Sequence, residues 1–259
     1  MALITETKLR TMLSKGIPNP YIATKEDKFT PAAIDFLKGR GISVEYHPNK
    51  PFDDPDNHSF MTIPVGVSNR HVHLSPADAE KLFGSGYALR SDRPLSQPGQ
   101  YAAKEKVTLL GPKGIIQEVR VLGPLRGESQ VEISRTDGYQ LGIHPPVRLS
   151  GSLAGTPGVT LIGPSGFVTL SHGVIIAKCH VHMSMDDATR YAVANGDRIT
   201  LQTMGERPII FPDVIVRISP DYRLDFHIDL DEANAANIQT GDNVLYVGKN
   251  GASGLQVKG

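Results

Sequence analysis

The hydrophobic positions of this chain fall in short runs rather than long stripes. Residues 106–110 (KVTLL), 118–122 (EVRVL) and 213–218 (DVIVRI) are rich in Val, Ile, Leu and Thr. Turn residues recur between such runs, as in Gly111-Pro112-Lys113-Gly114 and Gly163-Pro164-Ser165-Gly166. Short strands with frequent turns predict a mainly β fold, a sandwich or barrel, rather than alternating βαβ units. The first 60 residues follow a different pattern. Ile4, Leu9, Met12 and Leu13 form a loose helical stripe. A second helix opens at Thr30-Pro31, with Thr30 as N-cap, Pro31 at the first helical position and Gly39 or Gly41 near its end. Proline, aspartate and asparagine then crowd residues 48–58, which read as a linker. Residues 1–60 are therefore expected to be a helical extension, either packed on the body as a subdomain or detachable as a targeting segment.

The body repeats itself. Val67-Ser68-Asn69-Arg70-His71-Val72-His73-Leu74-Ser75 is echoed by Ile176-Ala177-Lys178-Cys179-His180-Val181-His182-Met183-Ser184. In both copies the HVH leads to a serine suited to cap a short amphipathic helix. Later in each copy comes a strand followed by a turn, and sliding these together without a gap sets Val121 against Val216 and Glu132 against His227. A one-residue gap would align two prolines instead. The long interval between copies predicts two similar β-rich domains, 61–150 and 151–250, with a short tail at 251–259.

Composition narrows the class. Of 259 residues, 39% are hydrophobic and 21% charged, with no formal net charge, so no basic excess points to nucleic acid. No apolar run is long enough to span a bilayer, and the first residues lack a secretory signal. A single cysteine, Cys179, excludes an internal disulfide and fits a reducing, cytoplasmic setting. Nine histidines against one cysteine make imidazole the metal ligand to look for.

Side chains at i and i+2 of a strand share a face, so His71 aims with His73, and His180 with His182. One such pair is a weak signal, but two in matching repeat positions are hard to attribute to packing. The repeat then supplies third ligands: His71, His73 and Glu132 form one set, and His180, His182 and His227 the other. Three protein ligands leave a coordination position open, the pattern of a catalytic zinc site. The other histidines carry weaker signals. His47 and His58 read as exposed residues of the extension and linker, and His144 and His172 as structural. Cys179 faces away from the ligand face and reads as a small buried thiol, not a nucleophile.

Arg126 lies six residues before Glu132, and a guanidinium beside a metal suits a phosphate whose oxygens it can grip in pairs. Its alternative is a surface salt bridge with Glu128. Arg93 and Arg120 suit the diphosphate of a nucleotide-bearing cofactor, and Tyr139 its base, although arginines are usually just solvated. Neither GxxxxGK[ST] nor GxGxxG is present, and there is no G-x-S-x-G elbow.

The run VGVSNRHVHLSPADAEKLFG, followed in order by GPLRGESQVEIS, KCHVHMS and DFHIDLDEAN, resembles the PduL-type phosphate propanoyltransferases of bacterial microcompartments over residues 62–248. The resemblance implies two β-barrel domains capped by short helices, with a di-zinc site between them built from the same six ligands. It implies that Arg126 holds phosphate, that Ser68, Arg93, Arg120, Leu122 and Asn234 lie along the coenzyme A path, and that Tyr139 stacks on adenine. It implies a cytoplasmic enzyme, inside a microcompartment, that interconverts acyl-CoA plus phosphate with acyl phosphate plus coenzyme A. A homodimer and contacts with shell or core enzymes follow as expected partners, with the extension as targeting segment. The TPAAIDFLKGRGI stretch departs from the family's short single-helix tag. Two other readings use the same residues: a zinc hydrolase of thioesters or phosphoesters, and a non-catalytic shell-associated protein with structural zinc.

Overall fold

The computed structural model describes residues 3–14, 16–23, 27–46 and 61–250. The chain divides into two compact units, Met1–Phe60 and Met61–Gly259. The linker at 48–58, His47, His58 and the tail at 251–259 lie outside the described residues.

The first unit is helical, as expected, but also holds two small parallel strand pairs. Leu3–Ile4 pairs with Lys28–Phe29, and Tyr21–Ala23 with Val44–Tyr46. Its helices are Glu6–Thr11 and Pro31–Lys38. Thr30 caps the second helix, its side chain accepting from Ala33 N at 3.3 Å, with Pro31 in the first turn. Ile4, Leu9, Tyr21, Ala33, Phe36 and Leu37 make the core of this unit. The stripe expected from the sequence ends early: Leu13 is 45% exposed, because Met12–Ser14 tightens into a 3₁₀ turn that rotates it outward.

The second unit is built from two sheets. One is a closed barrel of six strands, in the order His180–Met183, Ile210–Ile218, Arg198–Thr203, Asn243–Lys249, Thr62–Ser68 and Asp225–Asp229. The other has nine strands, eight along an open path and Ser91–Pro94 paired beside Tyr101–Leu110, so only one of the two expected barrels closes. Burial alternates along its long strands, as in Tyr101–Leu110, because successive side chains point to opposite faces. Val72, Val121, Val131, Leu109 and Leu161 fill the core of the open sheet, and Val181, Val216, Phe226, Ile199 and Ile63 that of the barrel.

The repeat is written into the strand register. His71, Val72 and His73 pair in parallel with Arg120, Val121 and Leu122, and antiparallel with Glu132, Val131 and Gln130. His180, Val181 and His182 pair in parallel with Ile215, Val216 and Arg217, and antiparallel with His227, Phe226 and Asp225. These registers match the ungapped alignment of the two copies. Ser75 and Ser184 cap the helices Pro76–Phe83 and Met185–Tyr191. Two further helices, Arg135–Leu141 and Leu230–Ala236, follow the third-ligand strands.

Sheet membership departs from a division at 150/151. Thr62–Ser68, at the start of the first copy, belongs to the barrel, where Val65 and Gly66 lie beside Phe226 and His227. Val174–Ala177, its counterpart in the second copy, belongs to the open sheet, where Val174 and Ile175 lie beside Val131 and Glu132. Thr160–Ile162 and Phe167–Thr169 also join the open sheet. The strand leading into each HVH thus pairs with the third-ligand strand of the other copy. Only Asn69-Arg70 and Lys178-Cys179 separate these exchanged strands from the histidine strands. The exchange joins the sheets just where the ligand pairs begin, and a hydrophobic pattern read one segment at a time does not report it.

Candidate metal centre and substrate cavity

Both histidine pairs open into one cavity of about 920 Å³, lined by all six expected ligands together with Arg126. The ligand atoms of His71, His73 and Glu132 lie within 4.8 Å of one another, and so do those of His180, His182 and His227. Ring centroids are 5.0 Å apart for His71 and His73, and 4.7 Å for His180 and His182. The charge of Glu132 is felt at His180, so the two triads face each other.

Local geometry readies the imidazoles as ligands. Nδ1 of His71 is 2.8 Å from the carbonyl of Asn69, and Nδ1 of His180 is 2.7 Å from that of Lys178. A carbonyl only accepts, so each Nδ1 carries the proton and each Nε2 keeps its lone pair. Burial, reinforced by neighbouring positive charge, pulls His73 down to about 3, His180 to about 4 and His182 to about 2, so these rings are neutral at physiological pH. Burial also opposes charge on His71, but Glu132, with its oxygen 3.4 Å from Nε2, outweighs it and raises that pKa. Glu132 is itself buried, yet His71 holds it well below the usual carboxylate range.

The donor set fits a metal. Nδ1 of His73, both ring nitrogens of His182 and Nε2 of His227 are buried without a hydrogen-bond partner. Asp225 Oδ2 lies 3.0 Å from His227 Nε2, but the angle makes no hydrogen bond. Each such orphan costs about 1–3 kcal/mol unless something satisfies it. A divalent ion in each triad would satisfy one nitrogen of each ring, and imidazole with carboxylate is a donor set that zinc favours.

Arg126 does not pair with Glu128. Its Nη1 donates to Ser150 Oγ at 3.1 Å, whereas Glu128 is 2.7 Å from His172 Nε2 at the surface. Ser150 Oγ also accepts from Gln130 Nε2 at 2.8 Å, and Gln130, 2% exposed, donates to Glu132 as well. With both lone pairs of its oxygen used, the Ser150 hydroxyl is left to donate. Sequence reading missed Ser150, which lies outside the motifs, and Gln130, which lies within GPLRGESQVEIS without an assigned role. It also missed Arg217 and Tyr222 on the opposite wall, where Tyr222 lies 4.1 Å from His182, ring to ring.

The expected coenzyme A residues divide. Ser68, Arg93, Arg120 and Leu122 line the cavity. Arg120 is held in place by Asp92 at 3.2 Å and the carbonyl of Ala103 at 2.8 Å. Tyr139, 64% exposed, and Asn234 are not among the lining residues. They stand on helices Arg135–Leu141 and Leu230–Ala236, which Thr136 N and Asp231 Oδ2 join at 2.8 Å. His144 packs edge-on against Tyr139, 5.7 Å between ring centroids. Cys179 packs against the barrel core, and burial pushes its thiol up to about 12, so it is no nucleophile at neutral pH.

The family model of phosphate propanoyltransferases matches residues 64–239, the stretch that holds all six triad residues and Arg126. The chain belongs to the phosphate propanoyltransferase family. The phosphate propanoyltransferase of Thermotoga maritima is 58% identical over 186 residues, covering 71% of this chain and 89% of the relative. That of Enterococcus faecalis is 53% identical over 180 residues, 70% of this chain and 85% of the relative. That of Salmonella typhimurium is 54% identical over 175 residues, 67% and 83% respectively. The family match leaves out the first compact unit.

Proposed function

We propose that this phosphate acyltransferase exchanges a short acyl group, propanoyl or acetyl, between coenzyme A and inorganic phosphate, using two zinc ions. The observation that carries this reading is the convergence of two matched, ligand-ready triads and one arginine on a single cavity. His71, His73 and Glu132 would hold one ion, and His180, His182 and His227 the other. When bound, zinc supplies positive charge for the phosphate and for the oxyanion that develops on the thioester carbonyl.

Arg126 grips the phosphate and offsets its charge, held in position by Ser150. A phosphate oxygen attacks the thioester carbonyl carbon, the C–O bond forms, and the C–S bond breaks as the thiolate leaves. The proton carried by hydrogen phosphate goes to the thiolate, so the chain needs no dedicated general base. Ser68, Arg93, Arg120 and Leu122 lead coenzyme A along the cavity wall, and Tyr139 and Asn234 serve its nucleotide end outside the cavity. The same reading puts the protein in the cytoplasm as a homodimer inside a bacterial microcompartment. Residues 1–60 would then contact shell or core enzymes. Support for that last role is their standing as a separate unit beyond the family match. Among the described residues no helix is long and apolar enough to cross a membrane.

The test is to incubate the protein with propanoyl-CoA and acetyl-CoA, with and without phosphate, and to measure free thiol and acyl phosphate. Phosphate-dependent thiol release with equimolar acyl phosphate is the expected result. Thiol release without phosphate would identify a hydrolase instead, and absence of turnover would favour a structural zinc protein.

A further inference from the structure

One cation of the cavity wall, Arg217, is held half-buried with no partner: among the described residues it makes no hydrogen bond or ion pair. Of the other cations of the wall, Arg70 is committed to Asp137, Arg120 to Asp92 and Lys106 to Glu118, while Arg93 is exposed to solvent. Arg217 stands on the strand Ile210–Ile218 directly beside His182. The matching position of the other copy, beside His73, is Leu122. The two copies therefore differ at this facing position, apolar in one and guanidinium in the other.

Its surroundings say what it faces. The charge of Arg217 is felt at His180 and His182, and that of Arg126 at His71 and His73. Each triad thus has its own guanidinium. The two also feel each other: burial depresses Arg126, the charge of Glu132 opposes that, and the charge of Arg217 adds to the depression. Two half-buried guanidiniums in one cavity repel each other and lose solvation, a cost that one shared anion lowers. A tetrahedral phosphate presents a pair of oxygens to each side, and a guanidinium fork takes oxygens in pairs.

We propose that Arg217 is the second arm of a phosphate clamp, gripping the transferred phosphate from the barrel side while Arg126 grips it from the open-sheet side. This rests on the phosphate acyltransferase reading above and adds to it a residue that binds phosphate rather than coenzyme A.

The test uses the metal-loaded full chain and two variants. Arg217→Met keeps the stem and removes the charge, and Arg217→Lys keeps the charge and removes the fork. Inorganic phosphate is titrated by calorimetry, and KM is measured separately for phosphate and for acyl-CoA. Arg217→Met should weaken phosphate Kd and KM by at least ~10-fold and leave the acyl-CoA KM within about twofold. Arg217→Lys should fall between Met and wild type. Phosphate constants within about twofold of wild type, or a rise confined to acyl-CoA, overturn the proposal. Where the Met variant does not fold, the Lys variant decides alone: phosphate weakened several-fold supports the clamp, and phosphate unchanged overturns it. If the wild-type protein neither binds phosphate nor turns over, it is the acyltransfer reading that fails.

Discussion

Single atoms decide what each histidine can do. The carbonyl two residues upstream fixes the Nδ1 proton of His71 and of His180, so both copies present the same tautomer. The H-x-H spacing made these rings legible in the sequence, and the repeat alignment made Glu132 and His227 legible. Arg217 was not legible, because its counterpart is Leu122 and an arginine within VIVRI reads as an ordinary strand residue. Replacing Arg126 by Ala should cost at least ~2 kcal/mol of transition-state stabilisation, roughly 30-fold in kcat/KM for phosphate. Steady-state rates at varied phosphate check this, and near-wild-type transfer would remove the assigned role. Cys179, with its thiol near 12, exposes roughly one thiolate in ten thousand molecules at pH 8. Iodoacetamide should leave the native mass unchanged and add one adduct after unfolding, and rapid native labelling would contradict the burial assigned to it.

The exchanged strands are what bring the triads face to face. Gly66, on the exchanged strand Thr62–Ser68, lies so close to the third-ligand strand that a Cβ there would sit 2.8 Å from Asp225 Oδ2. Gly66→Ala should therefore cost about 1–3 kcal/mol, seen as a lower denaturant midpoint at constant m. An unchanged midpoint would mean that Asp225 moves aside freely. The helix after that strand carries a pH signature. Glu232 completes a capping box with Asp229, but burial, with the charge of Asp229, outweighs the hydrogen bond from Asp229 N and pushes it up to about 7. Its folded pKa lies above the unfolded value, so its contribution is fully present below about pH 4.5 and lost as pH rises through about 7. Glu232→Gln should flatten that part of the curve of melting temperature against pH, and an unaltered slope would contradict the assignment. The strand runs and helix caps were legible in the sequence because turn residues and capping serines act locally. The exchange was not legible, since which sheet a strand joins depends on distant partners, more than a hundred residues away in the case of Thr62–Ser68.

At the scale of the molecule, every residue of the proposed site belongs to Met61–Gly259, and Met1–Phe60 has its own core. Deleting residues 1–60 should leave kcat/KM within about twofold, and a large loss would show that the first unit supports catalysis. The central claim is that the two triads hold one ion each. It is tested most directly by metal content per chain, by elemental analysis, in wild type and in the variants Glu132→Gln and His227→Ala. The account predicts about two zinc ions in wild type and about one in each variant, with either loss abolishing phosphate-dependent transfer. Full transfer activity in protein free of metal, or a metal content unchanged in both variants, would contradict it.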